Sequence, residues 1–171
     1  MKDEMFFCER WGGIPFFSPY KPMPRKKAEK LHADGKLYCV LVGSETRPRA
    51  TIHLTENAAT VSFMNGDIDP YVEYTFIRNS EKNPSDRLFL SAAIERHYDG
   101  NFKVVLAYKY FFHPDGRTRI VRTVLVPERY SQDMETVTDV SGNWSDYPEF
   151  GEYDDLLRFE RAPKPDGVPT S

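Results

Sequence analysis

From Lys36 onward, apolar and polar residues alternate in short runs that are separated by turn-forming residues. The runs are rich in Val, Ile, Tyr, Phe and Thr, which favour strands because they pack well on a pleated surface. They read KLYCVLVG, RATIHLT, AATVSFM, YVEYTFIR, DRLFLSAAIERHYDG, FKVVLAYKYFF and RTRIVRTVLV, and we predict a further strand over Met134–Val140. Consecutive strands usually pair with their sequence neighbours, so the pattern predicts an antiparallel meander.

Two Asp-Gly turns give the clearest local signal. YDGN and HPDG each join two of the predicted strands. Glycine adopts positive φ at no steric cost, so an Asp-Gly pair between alternating runs indicates a hairpin. The centre of the run 86–100, Ala-Ala-Ile-Glu-Arg, would also suit a helix, but its apolar residues fall at strand spacing and we predict a strand.

Two short helices are predicted outside the strands. Pro24 suits the first position of a helix and Gly35 its end, which indicates a helix over Arg25–Ala33. Apolar residues spaced along the late part of the chain predict a second helix over Tyr153–Arg161.

The fold class that follows is α+β and mainly antiparallel β, with about seven or eight strands and two short helices. Such a sheet must close into a barrel or curl around the helices to hide its apolar face. We expect one globular domain over residues 1–161, with an irregular N-terminal arm over 1–24, because residues 11–24 hold four prolines and two glycines. The Pro-rich residues 162–171 are expected to form a flexible tail.

Composition narrows the functional classes. The chain has 171 residues, a net charge of −3 and two cysteines, which do not make a disulfide framework. The N-terminus lacks the basic start and apolar core of a signal peptide, and no apolar run reaches the length that crosses a bilayer. We therefore expect a cytoplasmic protein with no membrane partner, and the lack of a basic stripe with spaced aromatics disfavours nucleic acid.

The sequence indicates no catalytic residue, no metal site and no cofactor. It has no Walker A loop, no G-x-S-x-G and no H-E-x-x-H, and no two of its four histidines are spaced i, i+4. Cys39 lies in an apolar run and is best interpreted as a core residue. One alternative stays open: a small-molecule-binding or enzymatic domain that uses the interior of the curled sheet, with His53, His97 or Glu95 lining a pocket.

Charge is uneven along the chain, and the late acidic part is rich in aromatic residues. Residues 1–50 hold ten Lys or Arg against six Asp or Glu, a net of +4, whereas residues 128–161 hold three against ten, a net of −7. Aromatic rings flanked by charge are typical of protein interfaces. The candidate partner-binding residues are Trp144, Asp146, Tyr147, Glu149, Glu152, Tyr153, Asp154 and Asp155, with a second group, Glu128, Tyr130, Asp133 and Glu135, that would extend the same surface.

Two other interpretations of these residues stay open. In the first, the basic residues of 1–50 and the acidic residues of 128–161 form ion pairs with each other in the fold, since exposed ion pairs are common although individually weak. Alternatively, the rings would pack on the sheet while the acids face water.

Three segments carry a resemblance to a known class of proteins. LFLSAAIERHYDG, YFFHPDGRT and DVSGNWSDYPEFGEYDDLLRFER resemble the strands, turns and ending of small bacterial immunity proteins of polymorphic toxin systems (Rhs, contact-dependent and type VI effectors). The resemblance covers residues 87–161, about half of the chain. It implies a non-catalytic protein that neutralises a cognate secreted toxin by stoichiometric binding. The acidic, aromatic surface would then suit a basic toxin domain.

Overall fold

The computed structural model describes residues 3–9, 11, 21–64, 70–101 and 103–161. These residues form ten strands and one α-helix: β1 (Met5–Cys8), α1 (Arg25–Ala33), β2 (Tyr38–Val42), β3 (Ala50–Leu54), β4 (Ala58–Met64), β5 (Pro70–Ile77), β6 (Leu88–Tyr98), β7 (Val104–Phe112), β8 (Arg117–Val124), β9 (Tyr130–Val137) and β10 (Trp144–Ser145). A single 3-10 turn, Ser141–Asn143, precedes β10. Within this part of the chain, no helix is both long and apolar enough to span a membrane.

The sheet is an antiparallel meander, as the sequence predicts. Each strand from β1 to β9 pairs with the next one along the chain, and β10 pairs with the start of β6. The expectation of seven or eight strands is too low. Of the two arrangements expected for the sheet, the closed barrel is not the one that it adopts. Strands β1 and β9 are the two edges of an open sheet.

Two elements cover one face of the sheet and so remove the need for closure. This inner face carries Val40, Ile52, Val61 and Leu90, and α1 packs against it through Ala28. Residues 147–157 cover the same face with the side chains of Tyr147, Phe150, Tyr153, Leu156 and Leu157. The opposite, outer face is apolar near β1 and β2, where Cys8, Cys39 and Leu41 are buried.

The helix predicted over Arg25–Ala33 is confirmed with these bounds. It begins after Pro24 and ends at Ala33; Asp34 is its C-cap, and Gly35 follows with a φ of +65°, which suits glycine. The Gly35 N–H donates to the carbonyl oxygen of His32 at 3.0 Å. Local signals were sufficient to predict this helix, because Pro24 and Gly35 mark its two ends in the sequence.

The N-terminal arm is more regular than expected. Residues 5–8 form β1. Residues 21–23 lie along the edge of β1 that points away from β2, where Pro22 forms an isolated β-bridge with Cys8. The Met23 N–H donates to the carbonyl oxygen of Phe7 at 2.7 Å. The expectations for residues 12–20 and for the tail over 162–171 lie outside the described residues.

The helix predicted over Tyr153–Arg161 is wrong. Residues 154–157 form a single turn, and residues 158–161 continue without helical structure. The spacing of Tyr153, Leu156 and Leu157 does bury all three side chains, but one turn is enough to do this. The strand predicted over Met134–Val140 begins four residues earlier and ends three residues earlier, at Tyr130–Val137.

Candidate interaction surface

The acidic, aromatic end of the chain divides into two structural parts. One part is the C-terminal segment (residues 139–161), which crosses the inner face of the sheet. Within it, Trp144 and Ser145 pair with Phe89 and Leu88 of β6. The second part is β9 and the loop before it, which hold Glu128, Tyr130, Asp133 and Glu135.

The structure places Tyr153 in the core, which corrects its prediction as a surface residue. Its side chain is fully buried, and its hydroxyl shares a hydrogen bond of 2.9 Å with the hydroxyl of Tyr38. Tyr38 in turn lies 2.9 Å from the Nδ1 atom of His32. Burial raises the pKa of both tyrosines and lowers the pKa of His32. This network joins α1, β2 and the C-terminal segment.

Trp144 and Tyr147 are half-buried, and both rings pack against other side chains of this protein. The Trp144 ring lies 4.7 Å from the ring of Phe89. Tyr147 stacks on His32 at 5.5 Å, and the guanidinium of Arg78 lies 4.5 Å from its ring centre. Both rings therefore match the alternative in which the aromatic residues hold the segment on the sheet.

The acids of the C-terminal segment are all exposed, and they include the five that the sequence singled out: Asp146, Glu149, Glu152, Asp154 and Asp155. Asp146 accepts a hydrogen bond of 2.8 Å from Arg87. Asp155 lies 3.6 Å from Arg158 and 3.7 Å from Arg161. Asp146 is thus paired with an arginine that directly precedes β6, and Asp155 with arginines of its own segment.

Arg161 ends the described chain with a buried guanidinium. Its side chain has no exposed surface, and it donates to the Ser145 hydroxyl at 2.8 Å and lies 4.8 Å from the ring centre of Phe76. Burial lowers its pKa to about 10, while Asp155 opposes the shift. Through these contacts with β10 and β5, Arg161 holds the end of the C-terminal segment against the sheet.

Strand β9 is the most exposed strand whose residues are all described. Glu128, Tyr130, Asp133 and Glu135 are exposed, and so are the apolar side chains of Met134 and Val137, at 52% and 77%. The sequence-predicted group therefore lies at the surface along one sheet edge.

Neighbouring arginines of β8 contact two of these side chains. The carboxylate of Asp133 accepts hydrogen bonds from Arg119 Nε at 3.0 Å and Nη2 at 2.5 Å, and this lowers the pKa of Asp133. The Tyr130 hydroxyl accepts a hydrogen bond of 2.8 Å from Arg122. Both contacts are solvent-exposed, so they contribute little to stability.

The pairing register shows which residues of β9 have main-chain N–H and C=O groups that point away from β8. The Thr138 N–H donates to the Gly116 carbonyl oxygen at 2.9 Å, and Arg117 lies opposite Val137 in the register. Hydrogen-bonded and non-hydrogen-bonded pairs alternate along an antiparallel ladder. The main-chain groups that point away from β8 therefore belong to Ser131, Asp133, Glu135 and Val137. Within the described part of the chain, no strand pairs with them.

The two predicted groups do not form one continuous surface. Ile120 of the inner face lies opposite Met134, so Tyr130 and Met134 share that face. Asp133 and Glu135 alternate with them and lie on the outer face. Residues 147–157 of the C-terminal segment cover the inner face, so Asp133 and Glu135 lie on the other side of the sheet from these residues.

The residues proposed for an interior pocket are separated as well. Glu95 and His97 are neighbours on the inner face, with Oε1 and Nε2 3.2 Å apart, and the His97 ring lies 5.9 Å from that of Tyr108. His53 lies opposite Cys39 on the outer face. Among the described residues, no group of three or more His, Cys, Asp or Glu is placed to hold a metal ion.

Tyr110 belongs to this inner-face cluster and was not singled out from the sequence. It is 7% exposed, and its hydroxyl has no hydrogen-bond partner among the described residues. Burial, followed by the nearby Glu95 carboxylate, raises its pKa. The signal in the sequence was the alternation of Leu106, Tyr108, Tyr110 and Phe112 on one strand face.

A shallow cleft of about 230 Å³ lies elsewhere, between β1 and α1.

No family model, no curated protein and no solved structure matches this chain. The fold defines its class as an open, mainly antiparallel β-sheet, packed on one face by a short helix and a C-terminal segment.

Proposed function

We propose that this protein is a non-catalytic protein-binding module and that it acts as an immunity protein. In this proposal it neutralises a cognate secreted bacterial toxin by stoichiometric binding in the cytoplasm. The observation that supports it best is the exposed edge strand β9, which combines acidic and exposed apolar side chains with main-chain groups that no strand of the described residues pairs with.

The properties of β9 suit a protein partner. Native sheets usually shield their edges, because an unpaired edge is a template for another strand. Tyr130 and Met134 supply exposed apolar area, and the acids give the surface a negative field that speeds association with a basic partner. A basic partner fits a toxin domain that acts on nucleic acid or a nucleotide.

The immunity assignment itself comes from the sequence resemblance over residues 87–161. That stretch contains β6 to β10 and the whole C-terminal segment. The exposed edge strand β9 lies within this range but between the segments that carry the resemblance, so the resemblance supports the class of protein and the surface chemistry alone supports the choice of β9.

Growth protection tests this proposal. We take the domain encoded directly upstream of this gene as the candidate toxin. It is expressed in bacteria with and without the full chain, and we expect it to stop growth on its own and the chain to restore growth. Purified chain should then inhibit the toxin in proportion to its amount and reach full inhibition at one chain per toxin. No protection, or full inhibition by far less than one equivalent, contradicts a stoichiometric binder.

A further inference from the structure

We propose that β9 accepts a β-strand of the partner protein that carries Lys or Arg at two alternate positions, facing Asp133 and Glu135. This inference rests on the proposed function for the claim that the partner is a protein. It adds the way in which that partner docks and the residue pattern that the docking strand must have.

The two edges of the sheet differ in their main-chain pairing. The outer side of β1 is taken by residues 21–23, through the Pro22 bridge to Cys8 and the hydrogen bond from Met23 to Phe7. The outer side of β9 has no such neighbour within the described residues. Four residues of β9 thus offer N–H and C=O groups at the spacing that an added strand requires.

The outer-face charges select the side chains of the added strand. Asp133 and Glu135 carry two negative charges, and Arg119, which contacts Asp133 and lies opposite Glu135, supplies one positive charge, while the neighbouring Arg117–Asp115 pair is neutral. The local sum is −1. A residue directly opposite another across an antiparallel pair lies on the same face, and opposite charges there are stabilising. Basic residues are therefore favoured opposite both acids.

The residue between the two basic positions would lie on the inner face, opposite Met134. This methionine is 52% exposed and Tyr130, on the same face, is 47% exposed. Burying such side chains beneath an apolar residue is favourable. The docking strand is thus expected to read basic–apolar–basic at its centre.

A second copy of this chain is a poorer occupant of the same edge. When two β9 strands pair antiparallel about their centres, each of the three central registers places Asp133 or Glu135 directly opposite Asp133 or Glu135 of the copy. Like charges at directly opposite positions are destabilising. The same acids that favour a basic strand therefore oppose edge-to-edge dimers.

Residue-resolved amide exchange on the full chain tests the proposal. The probe is the peptide acetyl-Thr-Val-Lys-Val-Lys-Val-Thr-amide at millimolar concentration, and the control is the same peptide with Glu in place of Lys. In the free protein we expect fast exchange at Ser131, Asp133, Glu135 and Val137 and slow exchange at the residues between them. The Lys peptide should slow the four outward amides at least about tenfold, because they become hydrogen-bonded.

Three outcomes overturn the proposal. The Lys peptide gives no slowing, the Glu peptide gives the same slowing, or the outward amides slow with protein concentration in the absence of peptide. The last result would make a second copy the occupant.

Variants separate the role of charge from the fold. Glu135→Lys retains both Asp133 and Arg119, the latter opposite position 135 in the register, and should weaken binding of the Lys peptide at least about threefold, since a like charge then faces the peptide. The double variant Glu29→Lys and Glu81→Lys changes exposed acids away from β9 and should bind as the wild type does. Equal peptide binding by Glu135→Lys and the wild type contradicts the charge selection.

The peptide experiment and growth protection fail independently. Growth protection without peptide binding would refute the docking mode and leave the proposed function standing. Peptide binding without growth protection would refute the immunity role and leave the strand-accepting edge standing.

Discussion

At the residue scale, Tyr153 shows how an aromatic side chain in an acidic stretch can belong to the core. Its hydroxyl is buried against that of Tyr38, and its ring lies beneath a run of exposed acids. The residue types in this segment are those of an interface. Only the register of the segment on the sheet decides which rings face inward, and that register depends on contacts far away in the sequence.

We predict that Tyr153→Phe lowers the free energy of unfolding by about 1 kcal/mol, because Tyr38 loses one of its two hydrogen-bonding neighbours while the ring packing stays. Urea unfolding measures this. Tyr147→Phe keeps the stack on His32 and should change stability by less than about 0.5 kcal/mol. An unchanged Tyr153→Phe variant would contradict the structural role of the hydroxyl pair.

His32 gives the pH dependence a definite sign. Burial lowers its pKa below the ordinary value of 6.5, so the unfolded chain binds a proton at a pH where the folded chain does not. Its contribution to stability is present above pH 6.5 and is lost as the pH falls through the lowered pKa. Unfolding in urea at pH 7.5 and pH 5.0 should therefore show a smaller loss of stability in His32→Gln than in the wild type. An equal loss in both proteins would show that His32 titrates alike in the folded and unfolded chains.

At the scale of elements, Gly142 decides how closely the C-terminal segment folds back on itself. A Cβ atom at this position would lie 2.2 Å from the carbonyl oxygen of Arg161. The turn before β10 and the end of the segment therefore need glycine for close approach.

We predict that Gly142→Ala destabilises the protein by about 1–3 kcal/mol, since backbone must move to admit the methyl group. Gly100 is the matched control, because a Cβ atom there meets nothing within 4 Å. Gly100→Ala should change stability by less than about 0.5 kcal/mol. Thermal unfolding of the two variants measures the difference, and equal melting temperatures would contradict the close contact.

The elements that the sequence predicted well are those with local signals. Helix α1 has Pro24 and Gly35 at its ends, and the turn after β7 has Asp115, whose Oδ1 accepts from the Arg117 N–H at 3.0 Å. The strand β1 and the turn over 154–157 lack such signals. They form because tertiary contacts outweigh local preference: β1 pairs with β2, and a short isolated helix is costly to nucleate.

At the scale of the whole molecule, the alternation of apolar and polar residues and the short connections between strands predict the meander. They do not predict that the sheet stays open. Alternation indicates that one face must be covered and leaves open what covers it. The Tyr38–Tyr153 contact spans 115 positions, and no short-range pattern encodes it. The candidate surface was predicted in part for the same reason: the acids are at the surface, but β9 and the C-terminal segment place them on opposite sides of the sheet.

We propose that this protein works by binding another protein through the exposed edge strand β9. Glu135→Pro tests this most directly, because it removes a main-chain N–H that points away from β8 and adds a ring at the edge, while the hydrogen bonds to β8 remain. The variant is first shown to unfold cooperatively, and growth in the presence of the toxin domain is then measured. We predict that the wild type and the double variant Glu29→Lys and Glu81→Lys protect the cells and that Glu135→Pro does not. Full protection by a folded Glu135→Pro variant would contradict the claim.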